Sequence, residues 1–220
     1  VMAYRAVLFD LDGTLLNTID DIADSANLAL TENGLSPYPA ERYKYFVGNG
    51  VAVLIRRLTA DTPEKYDGVR EKYIQHYERE GMCERKTQPY PGIMELLREL
   101  NRRGVPVCVL SNKPHQSARD VIARYFPEIT FAEVFGQREG VPVKPDPAAA
   151  KEIASLLRVR PEEFLYVGDT SVDMETGRGA GMYPVGVLWG FRTREELEES
   201  GAGEIIGDPM ELCRLFDESK

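Results

Sequence analysis

Ala6-Val7-Leu8-Phe9-Asp10-Leu11-Asp12-Gly13-Thr14 is the stretch on which the reading of the fold turns. Four apolar residues, three of them β-prone, predict a strand buried on both faces. The run ends in two aspartates separated by one residue. Desolvating two neighbouring carboxylates at the end of a buried strand is costly. The cost is offset where the strand end opens on a cleft, or where a cation lies beside the pair. Asp12-Gly13 between apolar runs is also a hairpin signal, and a turn there is compatible with a site.

The 220 residues are 43% hydrophobic, enough for one full core or a core with a smaller satellite domain. The net charge of -9 repels polyanions, which argues against nucleic acid or an anionic membrane surface as partner. A small anionic substrate remains compatible where positive charge is local. Cys83, Cys108 and Cys213 are an odd set without CxxC spacing. Cys108 lies in an apolar, strand-like run and reads as a small core residue. This cysteine usage fits a reducing cytoplasm. No apolar run reaches the roughly 18 residues of a membrane span. No basic region precedes the first apolar run, so no signal peptide is predicted.

Outward from the opening strand, Thr18 to Glu32 reads as a helix. Thr18 is a candidate cap, Asp20 and Asp21 suit its positive end, and Ile22, Ala26, Ala29 and Leu30 share a face. Helices are also predicted over 38–46, 51–58 and from Pro63, where Tyr66, Val69, Tyr73 and Tyr77 recur at helical spacing. Residues 15–83 therefore read as an all-helical unit without strand signal. After Pro89-Tyr90-Pro91-Gly92 the character changes to alternation. Strands are predicted at 105–110, 131–135, 164–167, 182–188 and 205–206, with helices at 93–103, 114–125, 147–157 (capped by Asp146), 171–180, 193–199 and 210–216. Such alternation argues an α/β class with a parallel sheet covered by helices on both faces. The expected domains are a core of 1–14 and 84–220 and a helical cap of 15–83. An insert directly after strand one lies over the C-terminal edge of the sheet, where open α/β sheets bind ligands.

Polar residues gather at that edge. Strand one ends in Asp10 and Asp12, the 105–110 strand in Ser111-Asn112-Lys113, and the 164–167 strand in Gly168-Asp169-Thr170-Ser171-Val172-Asp173. Lys144, in Val143-Lys144-Pro145-Asp146, leads into the helix before the last of these. Singly, Ser111-Asn112 and Asp173 could be helix caps, and Lys144 a solvated lysine. Together, four carboxylates on one edge call for a counter-ion. Oxygen-only ligands favour a hard divalent cation such as Mg²⁺, and no His or Cys cluster suits zinc. His76 and His115 read as ordinary surface or core residues.

Taken in order, DxDGT, Ser111-Asn112, Lys144 and GDxxxD resemble the four motifs of the haloacid dehalogenase-like phosphatases, and the resemblance covers essentially the whole chain. It implies a three-layer, Rossmann-like core with a helical cap inserted after the first strand. Within the cap, Val47-Gly48-Asn49-Gly50 is similar to a loop of the phosphoglycolate phosphatase branch. The implied activity is hydrolysis of the phosphate monoester of a small phosphorylated metabolite. Asp10 is the implied nucleophile, forming an aspartyl phosphate, and Asp12 the implied acid and base. Mg²⁺ is implied on the Asp10 side chain, the Asp12 carbonyl and Asp169, with Asp173 in support. Lys144, Ser111 and the Asn112 amide are the implied phosphate contacts. Gly48, Asn49 and Gly50 offer amides to a small anionic group, while Lys44, Arg56 and Arg57 fit a solvated helix face as well as a site.

A phosphomutase on the same core is the nearest alternative, differing in its cap. A dehalogenase has no use for Asp12 and the metal. A binding protein with a silenced site is disfavoured by the intact carboxylates and lysine. The expected state is a monomer or homodimer in the cytoplasm.

Overall fold

In the computed structural model, residues 4–217 are described; the ends of the predicted core segments, 1–3 and 218–220, lie outside them. The apolar opening run forms β1 (Ala6–Phe9), every residue of it buried. Its side chains alternate between the two faces of a sheet, as strand geometry requires. Val7 and Phe9 pack on one side, with Leu96, Leu97, Val121 and Ile122. Ala6 and Leu8 pack on the other, with Ala150, Ile153 and Ala180. The same alternation sends Val107 and Val109 one way and Cys108 and Leu110 the other. Cys108 is thus the core residue its position predicts.

Two short segments, β2 (Leu16–Asn17) and β3 (Gln88–Pro89), pair antiparallel with each other. The remaining strands are β4 (Val107–Pro114), β5 (Glu133–Gln137), β6 (Phe164–Gly168), β7 (Tyr183–Val187) and β8 (Glu204–Ile206). They join β1 in one six-stranded sheet of order β5-β4-β1-β6-β7-β8, in which every pairing is parallel. The order reverses at β1, with β4 on one side and β6 on the other. That switch point is where such sheets open a crevice for ligands.

The inserted helices are α1 (Ile19–Glu32), α2 (Ala40–Phe46), α3 (Val51–Leu58) and α4 (Tyr66–Ile74). With the helical turn Gln75–Arg79 that follows α4, they bury an apolar cluster that includes Ile22, Leu30, Tyr43, Ile55, Val69, Tyr73 and Tyr77. The sheet is flanked by α5 (Ile93–Arg102), α6 (His115–Tyr125), α7 (Ala148–Leu157), α8 (Ser171–Ala180), α9 (Arg194–Glu199) and α10 (Glu211–Asp217).

Three local expectations are corrected. Leu16–Asn17 is a strand, and Leu15 and Leu16 pack with the sheet core, so the helical body starts at Ile19 rather than at 15. Two residues carry no periodicity by which a strand is recognised. Thr18 stands at the start of α1 without using its side chain as a cap, and its hydroxyl is buried without a hydrogen-bond partner among the described residues. Asp21 instead accepts from the Lys86 and Thr87 amides and the Thr87 hydroxyl. It thereby ties the chain's return from the helical body to its exit. Finally, β4 runs on to Pro114 with a register shift after Leu110, so Ser111, Asn112 and Lys113 lie in an irregular strand extension rather than in a loop.

Candidate active site

The end of β1 turns sharply. The Leu11 carbonyl accepts from the amides of Thr14, Leu15 and Leu16, and Gly13 adopts φ +87°. Asp12-Gly13 thus forms a turn but not a hairpin, because β1 pairs with β4 and β6 and β2 pairs with β3. Asp10 Oδ1 accepts from the Leu11 amide at 2.7 Å, which fixes its carboxylate at the mouth of the crevice.

Lys144 reaches this point from the segment before α7. Its Nζ donates to Asp10 Oδ1 at 2.9 Å and to Asp173 Oδ1 at 2.7 Å. Asp173 Oδ2 accepts from the amides of Asp169 and Thr170 and from the Thr170 hydroxyl. Both Asp173 oxygens are therefore engaged, one on the lysine and one on the start of α8. Asp169 accepts from the Thr14 hydroxyl at 3.1 Å and the Phe191 amide at 2.9 Å.

Asp10, Asp169 and Asp173 are all buried, and each presents a carboxylate oxygen within 4.8 Å of the others. One ammonium does not balance three such charges. Burial first, and then Asp173, push the Asp10 carboxyl well above its ordinary range against the pull of Lys144. Burial and Asp173 likewise push Asp169 up to about 7. Burial pulls the Lys144 amine down, but Asp10 and Asp173 outweigh it and hold the amine well above its usual value. An oxygen-only donor set with a surplus of negative charge suits a hard divalent cation.

Gly13 allows this packing. A Cβ there would lie 2.2 Å from Asp169 Oδ2, and 2.9 Å from the Phe191 ring. Gly13→Ala is expected to cost more than about 1 kcal/mol from the left-handed backbone alone. It should also lower activity by displacing Asp169. Urea unfolding and phosphate release check both, and an unchanged midpoint with unchanged rate contradicts the geometry.

The second carboxylate of the opening motif lies outside the acidic cluster. Asp12 Oδ2 lies 3.3 Å from Lys113 Nζ, and Asp12 Oδ1 is buried with no hydrogen-bond partner among the described residues. Asp10, Asp12, Ser111, Asn112 and Lys113 line one cavity together with Gly48, Gly50, Ile22, Leu54, Tyr73 and Tyr77 of the helical body. Asn112 holds the two bodies together at this cavity: its Nδ2 donates to the Gly48 and Lys144 carbonyls, and its Oδ1 accepts from the Lys144 amide. Ser111 Oγ accepts from the Lys113 amide. The Asn49 side chain is directed elsewhere and accepts from Arg57 Nη2 at 3.0 Å. Arg57 also donates to the Phe46 carbonyl, and Lys44 pairs with Glu41. His76 is buried between Glu32 and Glu80, and His115 accepts from the Gly136 amide, so both histidines lie outside the cavity lining.

Two features were not singled out from the sequence. Lys113 follows Ser111-Asn112 directly, and a third polar residue at a strand end is the signal the sequence offers for it. The segment after β7 carried no motif. There Trp189 Nε1 donates to the Thr14 carbonyl, Phe191 serves Asp169, and Arg192 donates to the Lys44 and Val47 carbonyls at the end of α2. That segment binds the opening turn, the acidic cluster and the helical body at once.

Residues 7–187 match the family of haloacid dehalogenase-like hydrolases. The chain belongs to that family. This hydrolase is 31% identical over 223 residues to the phosphoglycolate phosphatase of Haemophilus influenzae, covering 97% of this chain and 98% of the relative. It is 36% identical over 186 residues to that of Cereibacter sphaeroides, covering 80% and 81%. Among solved structures, a predicted phosphoglycolate phosphatase from Haemophilus somnus superposes with a TM-score of 0.88 at 25% identity, covering 96% of this chain and 97% of that one. The hydrolase is a phosphatase. Among its described residues, no helix is long and apolar enough to cross a membrane.

Proposed function

We propose that this phosphatase is a Mg²⁺-dependent phosphomonoesterase that acts through an aspartyl phosphate on Asp10. Its substrate is a small phosphorylated metabolite, with 2-phosphoglycolate the first candidate. The observation that carries the reading is the Lys144 ammonium held between Asp10 and Asp173, beside Asp169, with Asp10 itself lining a cavity roofed by the inserted helices. The relatives called phosphoglycolate phosphatase support the substrate.

Asp10 attacks phosphorus as the bond to the leaving oxygen breaks, which divides a slow hydrolysis into two easier transfers. Asp12 protonates the leaving oxygen from Oδ1, which has no hydrogen-bond partner among the described residues. It then takes a proton from the water that cleaves the acyl phosphate at phosphorus. Lys144 keeps Asp10 oriented and offsets charge on the transferring oxygens. Ser111 Oγ, which accepts from a backbone amide, retains its O–H to donate to the phosphate. The Asp10 and Asp169 carboxylates and the Asp12 carbonyl would hold Mg²⁺, with Asp173 ordering the loop that carries Asp169. A bound Mg²⁺ supplies charge neutralisation of the phosphoryl group. The reading requires no macromolecular partner, and the enzyme acts as a monomer or homodimer in the cytoplasm.

Phosphate release measured with Mg²⁺ across 2-phosphoglycolate, sugar phosphates, nucleotides and pyrophosphate tests the class. Release from 2-phosphoglycolate is expected, and silence across the panel contradicts it. Removal of divalent ions with EDTA is expected to stop hydrolysis, and excess Mg²⁺ to restore it. Full activity in EDTA would rule out the assigned metal.

A further inference from the structure

The cavity lining falls into unlike parts. The floor is Asp10, Asp12, Ser111 and Asn112. The roof, supplied by the inserted helices, includes Ile22, Val47, Val51 and Leu54, side chains with no hydrogen-bonding groups. At one end stand Lys113, Tyr73 and Tyr77, and the cationic lining residue of this cavity is Lys113. Glu78 also lines it, with Oε1 accepting from the Ser117 hydroxyl.

Lys113 is buried, with only 8% of its surface exposed. Its Nζ donates to Tyr77 Oη at 2.9 Å, lies 4.7 Å from the centre of the Tyr77 ring, and stands 3.3 Å from Asp12 Oδ2. An ammonium has three donors, so the third has no partner among the described residues. The contrast with Lys144 is plain: that amine is shared between two carboxylates, whereas Lys113 has one, at a longer distance. A buried cation with a spare donor, facing a cavity, is a receptor for an anion.

We propose that Lys113 is the specificity-determining residue of this site, and that its ammonium receives a carboxylate carried by the leaving group. This rests on the phosphatase reading above and narrows it to small phosphorylated acids. The location follows from Asp12. A group that protonates the leaving oxygen lies beside the first carbon of the alcohol, and Lys113 lies directly against that group. A carboxylate one carbon from the ester oxygen is then within its reach. The apolar roof supplies the exclusion: the hydroxyls of a sugar phosphate would be desolvated against Ile22, Val51 and Leu54 without partners.

The test compares 2-phosphoglycolate with ethyl phosphate, in which a methyl group replaces the carboxylate, for the wild type, Lys113→Met and Lys113→Gln. The wild type is expected to favour 2-phosphoglycolate in kcat/KM by roughly tenfold or more, the worth of a charge-assisted hydrogen bond. Both variants should reduce that ratio by a similar factor, with the loss concentrated in KM for the acid. A wild type that hydrolyses both esters equally overturns the proposal and leaves the phosphatase reading intact. Variants that slow both substrates in the same proportion also overturn it, assigning Lys113 to the positioning of Asp12. A wild type inactive on both esters but active on a sugar phosphate or nucleotide overturns the proposal alone, whereas silence across the whole panel defeats the proposed function. Should one variant fail to fold, the other and the wild-type ratio still decide.

Discussion

Asp10→Asn is expected to lower phosphate release by at least about a thousandfold, the scale on which loss of a covalent nucleophile is felt. The amide keeps the shape of the carboxylate and its oxygen still accepts from the Leu11 amide and Lys144, the contacts that fix Asp10 at the end of β1. What is lost is the nucleophilic oxygen. The fold should not suffer. Burial and Asp173 raise the Asp10 carboxyl in the folded protein, so its ionised form at neutral pH costs stability relative to the unfolded chain. A neutral amide removes that cost, and the urea midpoint at pH 7 should hold or rise. Stability and activity should therefore move independently, which separates a chemical role from a structural one. Substantial turnover in the folded variant would withdraw the nucleophile assignment.

Lys144→Ala is the second large effect, and here rate and stability should fall together. Lys144 is 3% exposed and bridges Asp10 and Asp173. Removing one partner of a buried ion pair leaves the others uncompensated, typically a loss of about 3–5 kcal/mol. The same change frees Asp10 to turn and removes positive charge from the transferring phosphoryl group, so kcat should drop by roughly a hundredfold or more. Its stability signature is the opposite of that expected for Asp10→Asn. The two variants measured side by side, by urea unfolding and phosphate release, check the electrostatic layout of the cluster. A change below twofold in rate would make Lys144 an ordinary lysine.

Much of this layout was legible before the structure. An apolar run ending in Asp10 and Asp12 could be read as a strand feeding a crevice, because burial on both faces suppresses alternation and leaves the terminal carboxylates conspicuous. Helix and strand alternation after residue 90 implied a parallel sheet, and a parallel sheet puts the ends of β1, β4 and β6 on one edge. Adjacency was legible only through the resemblance to the phosphatase motifs. That β4 and β6 flank β1 directly is what brings Asp10, Ser111 and Asp169 together, and it depends on strand order rather than on any local pattern.

What the sequence concealed shares one physical character. Leu16–Asn17 pairs with Gln88–Pro89, Asp21 holds the amides of Lys86 and Thr87, and Arg192 grips the end of α2. Each is a contact between distant segments made by one or two residues, too short for a period and too ordinary in type for a motif. Lys113 is the instructive case. Beside Ser111 and Asn112 it resembles any lysine following a strand. Only the approach of Tyr77 from the helical body, and the side of the turn on which Asp12 lies, show it to be a buried cation in the cavity.

Chemical capture of the acyl phosphate tests most directly whether Asp10 accepts the phosphoryl group. Enzyme mixed with 2-phosphoglycolate and Mg²⁺, quenched in acid and reduced with borohydride, should carry homoserine at position 10 when its peptides are sequenced by mass spectrometry. Homoserine at another aspartate, or unmodified Asp10 in protein quenched during steady turnover, would contradict that role.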